Sequence, residues 1–279
     1  MHDPLNGQLG RLVALAPPAH GRIASLVRHA CAQTLSLPPL PAAVDVDGPV
    51  DDAESVAVEF AEQFSADVAS IGDDLRTRFT KAMGAAAFPA VMLTYFADFL
   101  PRVRSGFEAL GSPPPWSDDV EWDHTGDLGE VLFNSFLPGV ARLRALDPVT
   151  TEVVRLRGAS QHDCRLCKSR REGHALDAGG SESLYEQIEW FETSETLSER
   201  HKAALRYADA LIWTPAHIPP EVAAGVHAHF TEVESFELTV DVMRNAANKI
   251  MVSLGADAPQ VEHGTERFYV DEDGQTVTA

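Results

Sequence analysis

In DDAESVAVEFAEQFSADVA, residues 51 to 69, apolar side chains fall at 56, 60, 64 and 68, a spacing that lines one face of a helix. GDDLRTRFTKAMG follows, with Asp73 and Asp74 in its first turn and Gly84 placed to end it. The apolar run beyond predicts a long helix over about 86–110, interrupted or kinked at Pro101. The second half repeats this logic. Asp147 before Pro148 is a strong helix start, because the side chain caps and the fixed proline φ suits a first turn. That helix should run to about Ser160, break at QHD, and be followed by a helix from about Cys164 to Leu176 ended by Gly179 and Gly180. Ser198 caps ERHKAALRYADALIW, and PPEVAAGVHAHF and SFELTVDVMRNAANKIMVSLG predict two further helices. ERFYVDEDGQTVTA predicts a small hairpin around Asp273-Gly274. Strand patterning is otherwise scarce, so the expected fold class is all-α, a helical bundle.

There is an internal echo. AVEFAEQFSADVASIGDDL (57–75) aligns without gaps on ALRYADALIWTPAHIPPEV (204–222), setting Phe60 on Tyr207, Ala61 on Ala208, Ile71 on Ile218 and, further on, Arg102 on Lys249. Two tandem helical modules follow from this: a degenerate one over 1–111, an acidic Pro-rich linker over 112–127, and a second module over 128–279. Only the second carries a cysteine pair. The lone Cys31 of the first is expected to be a small buried apolar residue.

Composition narrows the function classes. The 279 residues are 44% apolar with 13 Phe, ample for a core, and carry 42 acidic against 22 Lys+Arg, a formal net charge of -20. Such a chain repels phosphate backbones, so no nucleic-acid partner is expected. The N-terminus shows no basic leader followed by a long apolar region, and AAAFPAVMLTYFADFL (85–100) is short and interrupted by Pro89 and Asp98. A buried helix, no membrane partner and a cytoplasmic location are therefore expected. Three cysteines do not make a disulfide framework. In the cytoplasm a C-x-x-C pair usually means redox chemistry or metal.

That pair lies in ASQHDCRLCKSRREGHALDAGG, residues 159–180. At the start of a helix the unsatisfied amides favour an anion, so a thiolate is stabilised, and Lys168, Arg170 and Arg171 add positive charge. Cys164 and Cys167, three apart, can close a disulfide with little backbone movement, the minimum kit for reducing a peroxide or exchanging disulfides. If 148–160 and 164–176 form a helical hairpin, Glu152 and Arg171 face each other, and a carboxylate there can serve as a base or hold a cation that tunes the thiol. Zinc held by His162, Cys164, Cys167 and His174 is the second reading, disfavoured because a structural site usually draws its second ligand pair from a separate loop. His227 and His229 are two apart on a helix and make a poor metal pair. DDVEWDHTGD lacks the alternation and closing Glu of a calcium loop and is expected to be a solvated linker. Trp190, Phe191, Tyr207 and Trp213 are expected to pack. No phosphate-binding glycine loop or nucleophile elbow is present.

The pattern E-x11-C-x2-C, filled by Glu152, Cys164 and Cys167, with LSERHKAALRYADAL and FELTVDVMRNAANKI downstream, resembles the alkylhydroperoxidase D / carboxymuconolactone decarboxylase-like family over about 130–256. The resemblance implies an all-helical homo-oligomer, here a dimer or trimer of double modules, with thiol peroxidase or disulfide reductase activity and no cofactor or metal. It implies that Cys167 attacks a small-molecule peroxide or disulfide, that Cys164 resolves the product, that Glu152 belongs to the proton relay, and that a dithiol donor reduces the disulfide. Arg171 stands where the family pattern has a histidine. Arginine stays charged and cannot shuttle protons, though it can depress a thiol pKa; His174, one turn beyond, is the candidate substitute. The alternatives are a carboxymuconolactone decarboxylase-like enzyme, whose members lack the cysteine pair, and a non-catalytic helical oligomer with a relic motif.

Overall fold

The computed structural model describes residues 3–114 and 116–278. Met1, His2 and Ala279, at the outer ends of the two expected modules, and Pro115 of the expected linker lie outside the described residues. The fold is mostly helical. Helices α1 (Asp3–Ala14), α2 (Gly21–Leu35), α3 (Asp52–Ala66), α4 (Asp73–Met83) and α5 (Ala87–Ala109) form the first half. Asp51 caps α3 by accepting the Glu54 amide, and Gly84 ends α4 at φ 52°, a backbone region that glycine tolerates best.

Helix α5 is the pivot of the molecule. It packs on α1, α2, α3 and α4 on one side and on α11 (Glu199–Trp213), α13 (Glu232–Ala246) and α14 (Asn248–Ser253) on the other. It is buried nearly all along its central part, as its run of apolar residues predicts. The segment Asp73–Ala109 is apolar and long enough for a membrane span by composition, yet most of its apolar window is covered by the rest of the bundle. Pro101 does not interrupt α5, which continues to Ala109. One hydrophobic core runs through helices of both halves, and a smaller cluster of Val153, Leu156, Tyr185, Ile188, Phe191, Leu197 and Leu205 lies beside it.

The aligned cations Arg102 and Lys249 meet on one carboxylate in this core. Asp98 accepts from Arg102 Nε at 2.9 Å and Nη2 at 2.7 Å and from Lys249 Nζ at 2.5 Å. Arg102 also donates to Ser65 O at the end of α3 and to the Leu211 and Ile212 carbonyls at the end of α11. Those carbonyls have no partner within their own helices, so the buried guanidinium closes two helix ends together. Burial alone would raise the Asp98 pKa; Arg102 and Lys249 outweigh it and hold the group below the usual carboxylate range. Cys31 is fully buried, as expected, and burial pushes its thiol up to about 12.

Residues 117–127 have no helix, but the stretch is tied to the N-terminus. Asp123 exchanges backbone hydrogen bonds with Ala14 and Ala16, and Trp116 is buried under the Arg104 guanidinium. A π-helical turn (Glu130–Phe136) leads into α6 (Leu137–Ala141) and α7 (Pro148–Gln161), which packs between α11 and α13. Helix α12 (Pro220–His229) lies against α11. Asp147 caps α7 and Ser198 caps α11, as predicted. The single helix expected from SFELTVDVMRNAANKIMVSLG is divided at Ala247 into α13 and α14.

The predicted hairpin is present as β2 (Glu266–Val270) and β3 (Thr276–Thr278), with Gly274 at φ 79° in its turn. A strand that the sequence pattern did not predict, β1 (Arg170–Glu172), pairs in parallel with β2, Arg171 opposite Arg267. The helix expected over 164–176 is therefore corrected. It is a four-residue turn, α8 (Arg165–Lys168), then β1, then a short helix α9 (Gly173–Asp177), with α10 (Glu182–Tyr185) beyond. Ser169 Oγ takes the Leu166 carbonyl, and the backbone from 170 on pairs with a strand almost a hundred residues away, a competitor absent from local periodicity. Gly173 allows the turn out of β1, since a Cβ there would lie 2.3 Å from the Tyr269 ring. The packing expectation for Trp190 and Trp213 is corrected too: they are 73% and 45% exposed, while Phe191 and Tyr207 are buried. Trp190 immediately precedes a tight turn in which Phe191 takes the inward direction, and Trp213 is the last residue of α11.

Candidate functional site

The end of α7 places the cysteines. Cys164 N–H donates to Ala159 O at 2.9 Å and Asp163 N–H to Ser160 O at 3.1 Å, with Asp163 in the left-handed region at φ 51°. This is the Schellman closure of a helix, here made with an aspartate where glycine is usual. It turns the chain so that Cys164 becomes the N-cap of α8, its Sγ accepting the Cys167 amide at 3.2 Å. Asp257, buried and unremarked by the sequence pattern, takes the other free amides of that turn. Its carboxylate accepts Arg165 N–H at 2.9 Å, its carbonyl accepts Leu166 N–H at 2.8 Å, and Arg165 Nη2 closes an ion pair on it at 2.7 Å.

Cys164 and Cys167 are joined as a disulfide, their Cα atoms 5.3 Å apart, inside the span such a bond requires. Cys164 is 1% exposed and packs in the main core; Cys167 is partly exposed at its edge.

The expected Glu152–Arg171 contact does not form. Because 170–172 is a strand and not the return helix of a hairpin, Arg171 points elsewhere. Its guanidinium pairs with Glu182 at 2.8 Å and donates to the Lys168 and Arg170 carbonyls. Glu152 is buried and held instead by Arg155, which reaches its two oxygens at 2.6 and 2.7 Å, and by the Glu172 amide at 3.1 Å. Arg155 then donates to Cys167 O at 2.9 Å and Arg170 O at 2.7 Å and lies over the Phe268 ring. Sequence reasoning passed over Arg155, although its spacing of three from Glu152 on one helix is a recognisable pairing signal. Burial opposes the Arg155 charge, and Glu152 more than offsets that.

His162 is buried. Its Nδ1 lies 2.9 Å from Asn248 Oδ1, so Nδ1 carries the proton, and Nε2 is buried without a hydrogen-bond partner among the described residues. Burial, with Lys249 nearby, pushes its pKa down to about 3, which keeps the ring neutral. His174 is half exposed, with Nδ1 2.9 Å from Glu172 Oε1 and its ring edge-on to Tyr269. The two histidines are thus engaged separately, and among the described residues no group of three or more His, Cys, Asp or Glu is arranged to hold a metal.

On the other side of Glu152 and Arg155, a cavity of about 530 Å³ opens between α6, α7, α13 and the hairpin. Neither cysteine lines it; Glu152, Arg155, Glu172 and His174 do.

No family model matches the chain. Among solved structures it is similar to a variant of the debrominase Bmp8 in complex with 2,3,4-tribromopyrrole, at 17% identity and a TM-score of 0.40, over 57% of this chain and 84% of that one. It is also 58% identical over 273 residues, 96% of both chains, to the uncharacterized protein Rv2313c of Mycobacterium tuberculosis H37Rv and equally to the uncharacterized protein MT2376 of strain CDC 1551. The chain belongs to the family of these mycobacterial proteins.

Proposed function

We propose that the protein is a thiol-dependent oxidoreductase that reduces a hydroperoxide or a disulfide through Cys164 and Cys167. The observation that carries the proposal is the cysteine pair closed as a disulfide at the head of α8, with the second sulfur the more exposed. In the reduced state the Cys167 thiolate attacks a peroxide oxygen. The O–O bond breaks, the sulfur becomes a sulfenic acid, and the alkoxide leaves as the alcohol after taking a proton. Cys164 attacks that sulfur, the S–S bond forms, and hydroxide leaves as water. A dithiol donor restores both thiols by exchange, two electrons per cycle. Glu152 acts as a positioning residue: both its oxygens are occupied by Arg155, whose other donors hold the Cys167 and Arg170 carbonyls. A reducing cytoplasm, a dimeric or trimeric assembly and the likeness to alkylhydroperoxidase D-type proteins belong to the same proposal.

The test is rapid mixing of the reduced protein with an alkyl hydroperoxide and with hydrogen peroxide while free thiols are counted. Two thiols should be lost together and fast, Cys167→Ser should abolish the loss, and Cys164→Ser should trap the sulfenic acid. Loss no faster than for an ordinary free cysteine refutes hydroperoxide reduction; failure to exchange with a small disulfide as well refutes the whole reading.

A further inference from the structure

The cavity beside α13 is unused by the thiol chemistry, and its lining has a distinct character. Val140, Leu143, Leu146, Phe268 and Val270 make apolar walls, and its volume of about 530 Å³ suits a small organic molecule. Its charged groups are mostly carboxylates. Glu237 and Asp241 stand one turn apart on α13, both buried. The three guanidiniums of the lining are already committed. Arg155 holds Glu152, Arg244 lies 3.2 Å from Asp241, and Arg144 donates to the Ala141 and Leu143 carbonyls at 2.6 Å. Glu237 accepts the Ala145 amide at 2.6 Å, and the Leu146 amide and the more distant Arg144 also favour its charge, yet it forms no ion pair among the described residues. It is a buried, desolvated acid facing a cavity, with no cation among the described residues bonded to it.

We propose that this cavity binds an amphipathic organic cation, its ammonium head between Glu237 and Asp241 and its apolar body against Phe268, Val140, Leu143 and Val270. An anion would meet buried carboxylates and no free guanidinium in the lining; a neutral molecule would leave Glu237 either protonated or, when ionised, without a counter-charge. The protonation of the site agrees. Burial, with Asp241 adding repulsion, pushes Glu237 up to about 7, and burial also raises Asp241. A bound cation supplies the missing compensation and drives the proton off Glu237. The other charged groups facing this space are Arg244 on the same helix, Arg144 before α7, and Glu152 and Arg155 on α7. Glu172, His174, Asp271 and Glu272 face it from the sheet side.

The probe is 4-phenylbutylamine, an ammonium ion throughout the range used, compared by calorimetry on the full chain with 4-phenylbutanol and 4-phenylbutyrate. The amine should bind at least about tenfold more tightly than the alcohol, and the acid should not bind. Affinity should rise from pH 6 to pH 8 as Glu237 loses its proton. At pH 7 the observed heat should vary with the buffer's ionisation enthalpy, reporting proton release. Glu237→Gln should cost about tenfold or more in affinity. Because that variant could perturb folding, the unaltered protein's preference among the three probes and its pH dependence carry the test independently. Equal binding of amine and alcohol, binding of the acid, a flat pH profile, or no amine binding at millimolar concentration overturns the proposal. The Cys164→Ser/Cys167→Ser double variant should bind the amine unchanged, so this result and the thiol chemistry succeed or fail separately.

Discussion

Acidification should destabilise this protein through one buried histidine, and the size of the effect can be worked out. His162 is neutral in the fold, its pKa pushed down to about 3 by burial and by Lys249, and in the unfolded chain it titrates near 6.5. Above pH 6.5 neither state binds the proton, so the stabilising difference is fully present. As pH falls below 6.5 the unfolded chain takes up a proton that the native ring refuses, and stability drops until about pH 3. From pH 7 to pH 5 this amounts to about 2 kcal/mol, since each pH unit of unequal protonation is worth about 1.4 kcal/mol. The wild-type slope alone will not show it. Glu237 works in the opposite direction. Its folded pKa of about 7 lies above the carboxylate's usual 4.5, so the native state gains a proton and stability over the same window, by a comparable ~2 kcal/mol. The informative quantity is a difference. Urea unfolding at pH 5, 6 and 7 should be run on wild type, His162→Gln and Glu237→Gln, with the slope m checked for constancy. Relative to wild type, His162→Gln should gain about 2 kcal/mol at pH 5 over its value at pH 7, and Glu237→Gln should lose a similar amount. If the His162→Gln difference is the same at pH 5 and pH 7, the histidine is not held neutral and the reasoning is wrong.

Three further outcomes follow from the contacts. Arg155→Met should cost about 3–5 kcal/mol, because it strands Glu152 as an uncompensated buried charge, and adding Glu152→Leu should recover most of it in chemical denaturation. Asp98→Asn should cost a similar ~3–5 kcal/mol by leaving Arg102 and Lys249 without their carboxylate, read as a fall in the urea midpoint. Arg171→Gln should leave the pH dependence of Cys167 alkylation unchanged, because the guanidinium is tied to Glu182, whereas Arg155→Gln should shift it.

Local chemistry was enough to announce the helices with strong caps. Asp147 and Ser198 each precede a helical stretch and each accepts the amide three residues on, a bond made within a few residues of chain, while the helix after Asp51 was legible from its apolar spacing alone. The hairpin around Gly274 was legible for the same reason, and so was the burial of Cys31. The cysteine pair declared itself by spacing, because closing a disulfide over three residues is a local constraint. The region just after it was misleading. Residues 170–172 have a helix-compatible pattern, and only pairing with Glu266–Phe268 makes them a strand. That one distant pairing moved Arg171 to Glu182 and brought Arg155 to the Cys167 carbonyl.

The sequence by itself determined the helical class, the starts of the helices with strong local signals, the hairpin and the dithiol motif, all consequences of interactions spanning a turn or two of chain. Tertiary structure decided which groups surround the motif. It placed Asp257 on the amides of α8, His162 against Asn248, Arg102 and Lys249 on Asp98, and a carboxylate-lined cavity behind Glu152. Each of these depends on burial and on partners far away in sequence, where desolvation makes a charge require a counter-charge that no local pattern encodes.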